Sequence, residues 1–219
     1  MGGDPQMNGE IRVVDDVPRS FAEFVTQASP ASLALSGGDT ARQAYEQLAT
    51  ANLPWNRIDV FFGDERWVPV DDAESNEHLA RRAFLDRVQP RSVHSMRRAG
   101  DTPDTAADAY DALLRAHGPL DLVHLGLGPD GHTASLFPGS EALAVRNRLV
   151  VTTGDDLHPH PRLTVTYPTL EQAQLVLFTV AGQGKRDAFA RVQSGDDVPA
   201  ARVDAERVVW LVDRAAAGR

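Results

Sequence analysis

The chain contains no cysteine. Disulfides, thiolate metal ligands and thiol nucleophiles are therefore excluded, and a reducing compartment, the cytoplasm, is expected. It also lacks any apolar run approaching the roughly 20 residues that cross a bilayer, so no membrane partner is expected. Residues 1–9 are polar and glycine-rich, without the apolar segment of a signal peptide, and read as a frayed tail. Positive charge is scarce: 22 Lys and Arg stand against 31 Asp and Glu, a net charge of −9. That balance argues against non-specific nucleic-acid binding. An anionic metabolite would need a local cluster of cations and backbone N–H groups, so each well-placed Lys or Arg stands out.

What is present is an ordinary globular composition, 42% hydrophobic over 219 residues, enough for a single core. Residues 10–219 read as one domain. Strand-like apolar runs at 11–14, 32–35, 58–62, 122–127, 148–153, 163–166, 175–181 and 208–212 alternate with helical patterns at 20–28, 41–48, 75–88, 103–116 and 185–192. The alternation predicts an α/β fold: a Rossmann-like, mostly parallel sheet with helices on both faces.

The segment richest in chemistry is Gly126-Leu127-Gly128-Pro129-Asp130-Gly131-His132-Thr133-Ala134-Ser135-Leu136-Phe137-Pro138-Gly139, directly after an apolar strand. Ligands bind at the carboxyl ends of strands in such sheets. His132 suits a general base, because an unperturbed imidazole titrates near working pH. Asp130, two residues earlier, is placed to orient it. Ser36-Gly37-Gly38-Asp39-Thr40 joins another strand to a helix. Its glycines and the helix N-terminus suit an anion, although the same turn also serves as a tight connection with Thr40 as N-cap. Gly63-Asp64-Glu65-Arg66-Trp67-Val68-Pro69 follows a third strand. There Arg66 offers a planar fork for phosphate, or else forms a loop salt bridge with one of the acids. Gly182-Gln183-Gly184-Lys185-Arg186 sets Lys185 against a helix dipole, which points to a nearby anion. His124, inside a strand, reads as structural. His158-Pro159-His160-Pro161 lacks a third ligand set and reads as a proline-rigidified surface loop rather than a metal site. Arg162, just after it, is the better candidate for an anionic ligand.

These segments, in this order, resemble the 6-phosphogluconolactonase family from about Ala34 to Ala216. The matching blocks are the Ser36–Thr40 turn, Gly63–Pro69 with Ser75-Asn76, Gly126–Gly139, Arg162–Thr166 and Gly182–Lys185. The resemblance implies hydrolysis of 6-phospho-D-glucono-1,5-lactone, in the oxidative branch of the pentose phosphate pathway, with no metal or organic cofactor. It implies His132 as base and Asp130 as its orienting acid. Ser36, Gly37, Gly38, Thr40, Asp64, Arg66, Arg162 and Lys185 are implied to bind the phosphorylated sugar lactone. The protein would be a monomer or a small homo-oligomer. The chain departs from the family at Ala41, where a proline is frequent, and at Asp39, a negative charge expected to face away from the ligand. The related glucosamine-6-phosphate deaminases share the Asp-Gly-His core. They carry glutamate where this chain has Phe137, and tyrosine where it has Arg66. Phe137 removes an acid that proton transfer between carbons would want, which favours the hydrolase. An amino-sugar-phosphate deaminase or isomerase, and a non-enzymatic sugar-phosphate sensor, are the alternatives.

Overall fold

The structure is a computed structural model, and it describes residues 8–154 and 158–219. Its elements run β1 (Glu10–Val14), α1 (Val17–Ala28), β2 (Ser32–Leu35), α2 (Asp39–Leu48), β3 (Asp59–Phe62), β4 (Asp64–Arg66), α3 (Asn76–Ala80), β5 (Ser92–Val93), α4 (Pro103–His117), β6 (Leu122–Gly126), β7 (Val150–Thr153), β8 (Arg162–Val165), α5 (Tyr167–Gln172), β9 (Leu175–Val180), α6 (Arg186–Gln193) and β10 (Val208–Asp213). Most of the tail expected over residues 1–9 lies outside the described residues. Asn8 is tied down: its carbonyl accepts from the Trp210 indole at 3.0 Å.

Seven strands form one parallel sheet in the order β1-β10-β9-β6-β2-β3-β5. Every residue of β2, β3 and β9 is buried. Successive side chains of a strand point to opposite faces, so both faces of the sheet are covered, as the apolar runs require. From β2 the chain builds outward through β3 to β5. It then returns to the other side of β2 and builds through β6 and β9 to β10. The order reverses between β2 and β6, and a crevice opens at such a switch point.

Sequence patterning placed 148–153 and 163–166 with the other strands. Instead β7 and β8 join β4 in a separate antiparallel sheet, order β4-β8-β7. It hangs from the main sheet at Gly63, whose N–H donates to Leu35 and whose carbonyl accepts from Val165, both at 2.8 Å. The helix predicted over 75–88 is α-helical only for Asn76–Ala80 and widens to a π-helical turn over Arg81–Leu85. The wider turn lets Ala83, Phe84 and Leu85 all enter the core. α1 begins earlier than the apolar spacing suggests, because Asp16 caps it and Pro18 occupies its first turn.

Candidate active site

Because the main strands are parallel, the loops leaving β2, β3, β6 and β9 emerge along one edge. They enclose a cleft of about 250 Å³. Its walls include Ser36, Gly37 and Gly38 after β2; Asp64, Arg66 and Arg162 of the small sheet; Gly128 and His132 after β6; and Lys185 after β9.

The acid–base pair lies within one loop turn. Asp130 Oδ1 accepts from the His132 backbone N–H at 3.1 Å and stands 2.5 Å from His132 Nδ1. Burial pushes the Asp130 carboxyl up, but the His132 N–H and ring outweigh it and leave the carboxyl below its ordinary value. An ionised Asp130 accepts a proton-bearing Nδ1 and leaves Nε2 as the ring's free lone pair. The loop is closed on itself by its backbone: the Gly128 N–H donates to the His132 carbonyl at 2.8 Å. A Cβ on Gly128 would lie 2.1 Å from Nδ1, so only glycine admits the imidazole here. Ala134, further along the loop and on the cleft wall, has φ +48°, a left-handed conformation that L-residues hold at some cost.

The cationic wall comes from β4 and β8, where Arg66 and Arg162 occupy paired positions. Arg66 Nη1 donates to the Glu74 carbonyl at 2.5 Å. The Nε atoms of both arginines are buried and have no hydrogen-bond partner among the described residues. Burial, then the charge of Arg66, hold Arg162 below its ordinary value. Burial likewise lowers Lys185, against the pull of Asp130. No described carboxylate forms an ion pair with Arg66, Arg162 or Lys185. Three cations with no ion-pair partner among the described residues, two of them with orphaned donors, line one cleft, an arrangement suited to an anion.

The neighbouring acids are structural braces. Asp64 accepts from Ser135 Oγ at 2.7 Å and from Asn76 Nδ2 at 3.0 Å, tying the β6 loop to α3 under the cleft. Glu65 accepts the backbone N–H groups of Arg66, Asn76 and Glu77 and the hydroxyl of Ser75. Neither acid forms an ion pair with the Arg66 guanidinium. Ser36 is held by its N–H on the Tyr45 hydroxyl, 2.7 Å away. That hydroxyl is 2.7 Å from His124 Nδ1, and His124 Nε2 is 2.9 Å from Thr179 Oγ1. Burial takes His124 down to about 3, so it is the neutral structural histidine the sequence suggested.

Some sequence expectations shift. Thr40 is neither N-cap nor cleft wall: Gly38 caps α2 with no side-chain bond, and Thr40 falls in the first helical turn. Asp39 is exposed and held by Arg42 and Gln43. His158, read from sequence as surface loop, lines the cleft, and so do Asn76 and Phe137. Asn76 Oδ1 occupies the space a Gly37 Cβ would need, 1.9 Å away, and it is buried without a partner. Among the described residues no group of three or more His, Asp or Glu is placed to hold a metal.

An open parallel sheet with an acid–histidine pair and an anion grip at its switch point defines an α/β protein built to act on a small anionic molecule. The chain belongs to the family described as glucosamine-6-phosphate isomerases/6-phosphogluconolactonase, which it matches over residues 10–210. It is 42% identical to the 6-phosphogluconolactonase of Nostoc sp. over 220 residues, covering 94% of this chain and 91% of that one. A solved 6-phosphogluconolactonase from Thermotoga maritima superposes with a TM-score of 0.79 at 29% identity, covering 94% of this chain and all of its own length. A monomeric glucosamine-6-phosphate deaminase has a TM-score of 0.80 at 22% identity, covering 95% of this chain and 99% of its own. At that identity it shares the fold alone.

Proposed function

We propose that the chain hydrolyses 6-phospho-D-glucono-1,5-lactone to 6-phosphogluconate, with His132 as the base. The observation that carries this reading is the Asp130–His132 pair facing the same cleft as Arg66, Arg162 and Lys185. The phosphate sits among these cations and the N-terminus of α2, where the N-cap Gly38 has no side chain to satisfy the first-turn N–H groups. So anchored, the lactone presents C1 to His132. Nε2 takes a proton from water as its oxygen bonds to C1, and the carbonyl becomes an oxyanion. The oxyanion collapses, the bond from C1 to the ring oxygen breaks, and His132 returns its proton to that oxygen. The phosphate grip lies away from the reacting carbon, so it contributes positioning. The base contributes roughly 10²–10⁴-fold.

Phe137 favours hydrolysis over isomerisation or deamination. It is buried and its ring centre lies 4.8 Å from that of His132, so the surface beside the base is apolar and offers no second acid there.

The test follows proton release from 6-phosphogluconolactone, corrected for spontaneous opening. Wild type should accelerate it. His132→Ala should lower kcat by about 10²–10⁴-fold while retaining affinity for 6-phosphogluconate. An unchanged kcat would remove His132 from the chemistry.

A further inference from the structure

His158 belongs to the cleft, and nothing in the mechanism above uses it. Its ring packs against Phe137 in a tilted arrangement, with centroids 4.0 Å apart at 43°. The same phenyl ring touches His132 and has the Arg162 guanidinium 5.9 Å from its centre. Phe137 is therefore a shared wall, with the base against one part of it and a cation of the anion grip against another. His158 stands on that wall.

Neither ring nitrogen of His158 hydrogen bonds to a described residue. The ring is nevertheless positioned. The His158 N–H donates to the Gly154 carbonyl at 2.8 Å, and the Pro161 carbonyl accepts from Trp67 at 2.8 Å. Pro159 and Pro161 stiffen the span between these two bonds. A pre-placed imidazole whose two nitrogens have no partner among the described residues, on the wall of a ligand cleft, is suited to recognise a ligand.

Two roles can be set aside. Among the described residues no carboxylate bonds His158 as Asp130 bonds His132, so nothing there assigns it the role of a second base. Burial, then the charges of Arg162 and His132, hold its pKa below the ordinary value, so it adds no fourth cation to the phosphate grip. A neutral imidazole both donates and accepts, which matches the chemistry of a sugar hydroxyl.

We propose that His158 is a specificity-determining residue that hydrogen bonds a ring hydroxyl of the substrate between its phosphate and its lactone carbonyl. This rests on the lactonase reading. The test compares wild type, His158→Phe and His158→Gln on 6-phosphogluconolactone and on its 2-, 3- and 4-deoxy analogues. Phenylalanine keeps an aromatic ring against Phe137 and removes the nitrogens; glutamine keeps hydrogen bonding without the ring. On the parent lactone His158→Phe should lower kcat/KM by about three- to tenfold, and His158→Gln should recover part of the loss. Wild type should discriminate against one deoxy analogue by a similar factor, and His158→Phe should lose that discrimination. If His158→Phe matches wild type on the parent, or if its loss is the same on parent and all three analogues, the hydroxyl contact is wrong and the lactonase reading stands. If wild type hydrolyses no lactone above the spontaneous rate, both fail.

Discussion

Arg66 and Arg162 face one another across an antiparallel pair, an arrangement that is repulsive until an anion lies between them. Burial sharpens the conflict, because orphaned guanidinium N–H groups cannot turn to water. The phosphate proposed to bind here would relieve both problems at once. Arg66→Ala or Arg162→Ala should therefore raise KM for the phosphorylated lactone by roughly 10- to 100-fold, the usual scale for a charged hydrogen bond, and leave kcat within a few-fold. Steady-state kinetics with both variants checks it; an effect confined to kcat would place the phosphate elsewhere. At this scale the sequence was legible where chemistry and backbone coincide. His132 stands out because a glycine-rich loop after a strand has few other uses for an Asp-Gly-His core. His158 did not, because His-Pro-His-Pro describes only local stiffness; its placement depends on Phe137, a partner distant in sequence. Thr40 misled for the opposite reason. A hydroxyl beside two glycines looks like a ligand, but the helix starts at Asp39 and carries it away from the cleft wall.

Elements place these residues by close approach rather than by regular packing. The loop after β6 folds back on itself so tightly that Gly128 meets the His132 ring where a Cβ would stand. Gly128 does not have a positive φ, so alanine is acceptable to the backbone there and objectionable only to the imidazole. Gly128→Ala should thus displace His132 from Asp130 and cut kcat by at least tenfold while the thermal midpoint moves little. Parallel activity and melting measurements decide it, since a large drop in melting temperature would mean that the whole loop had unfolded. The parallel strands could be read from the chain because burial on both faces makes them short apolar runs. The small sheet could not be read as such. Asp64-Glu65-Arg66 is too short and too polar to look like a strand, and it becomes one only because β8 supplies its partner. That single pairing brings two arginines, far apart in sequence, side by side on one cleft wall.

At the scale of the whole molecule, function and stability are separated along the strand axis. The cleft occupies the carboxyl edge of the parallel sheet, and an ionic cluster ties down the opposite edge. Asp59 opens β3 and is buried; its carboxylate accepts from both Arg91 Nε, at 2.7 Å, and Arg91 Nη2, and from Ser92 Oγ at 2.6 Å. These bonds fasten the two-residue edge strand β5, while His117 at the end of α4 lies 4.0 Å from the same carboxylate. The Arg91 hydrogen bonds, opposed by burial, hold Asp59 down at about 2 against an ordinary value of 3.8. A depressed carboxylate stabilises the fold fully above its unfolded value and loses that contribution as pH falls through its folded one. The stabilisation from Asp59 is therefore complete at neutral pH, begins to fade near pH 4 and is mostly gone by about pH 2. Asp59→Asn should lower the melting temperature at pH 7, and the gap from wild type should narrow steadily between about pH 4 and pH 2. Lactone hydrolysis by the folded variant should be unchanged, because no cleft residue touches this cluster. Melting curves across that pH range test the linkage. A gap that persists at low pH would show that Asp59 acts through shape and packing, not through its charge.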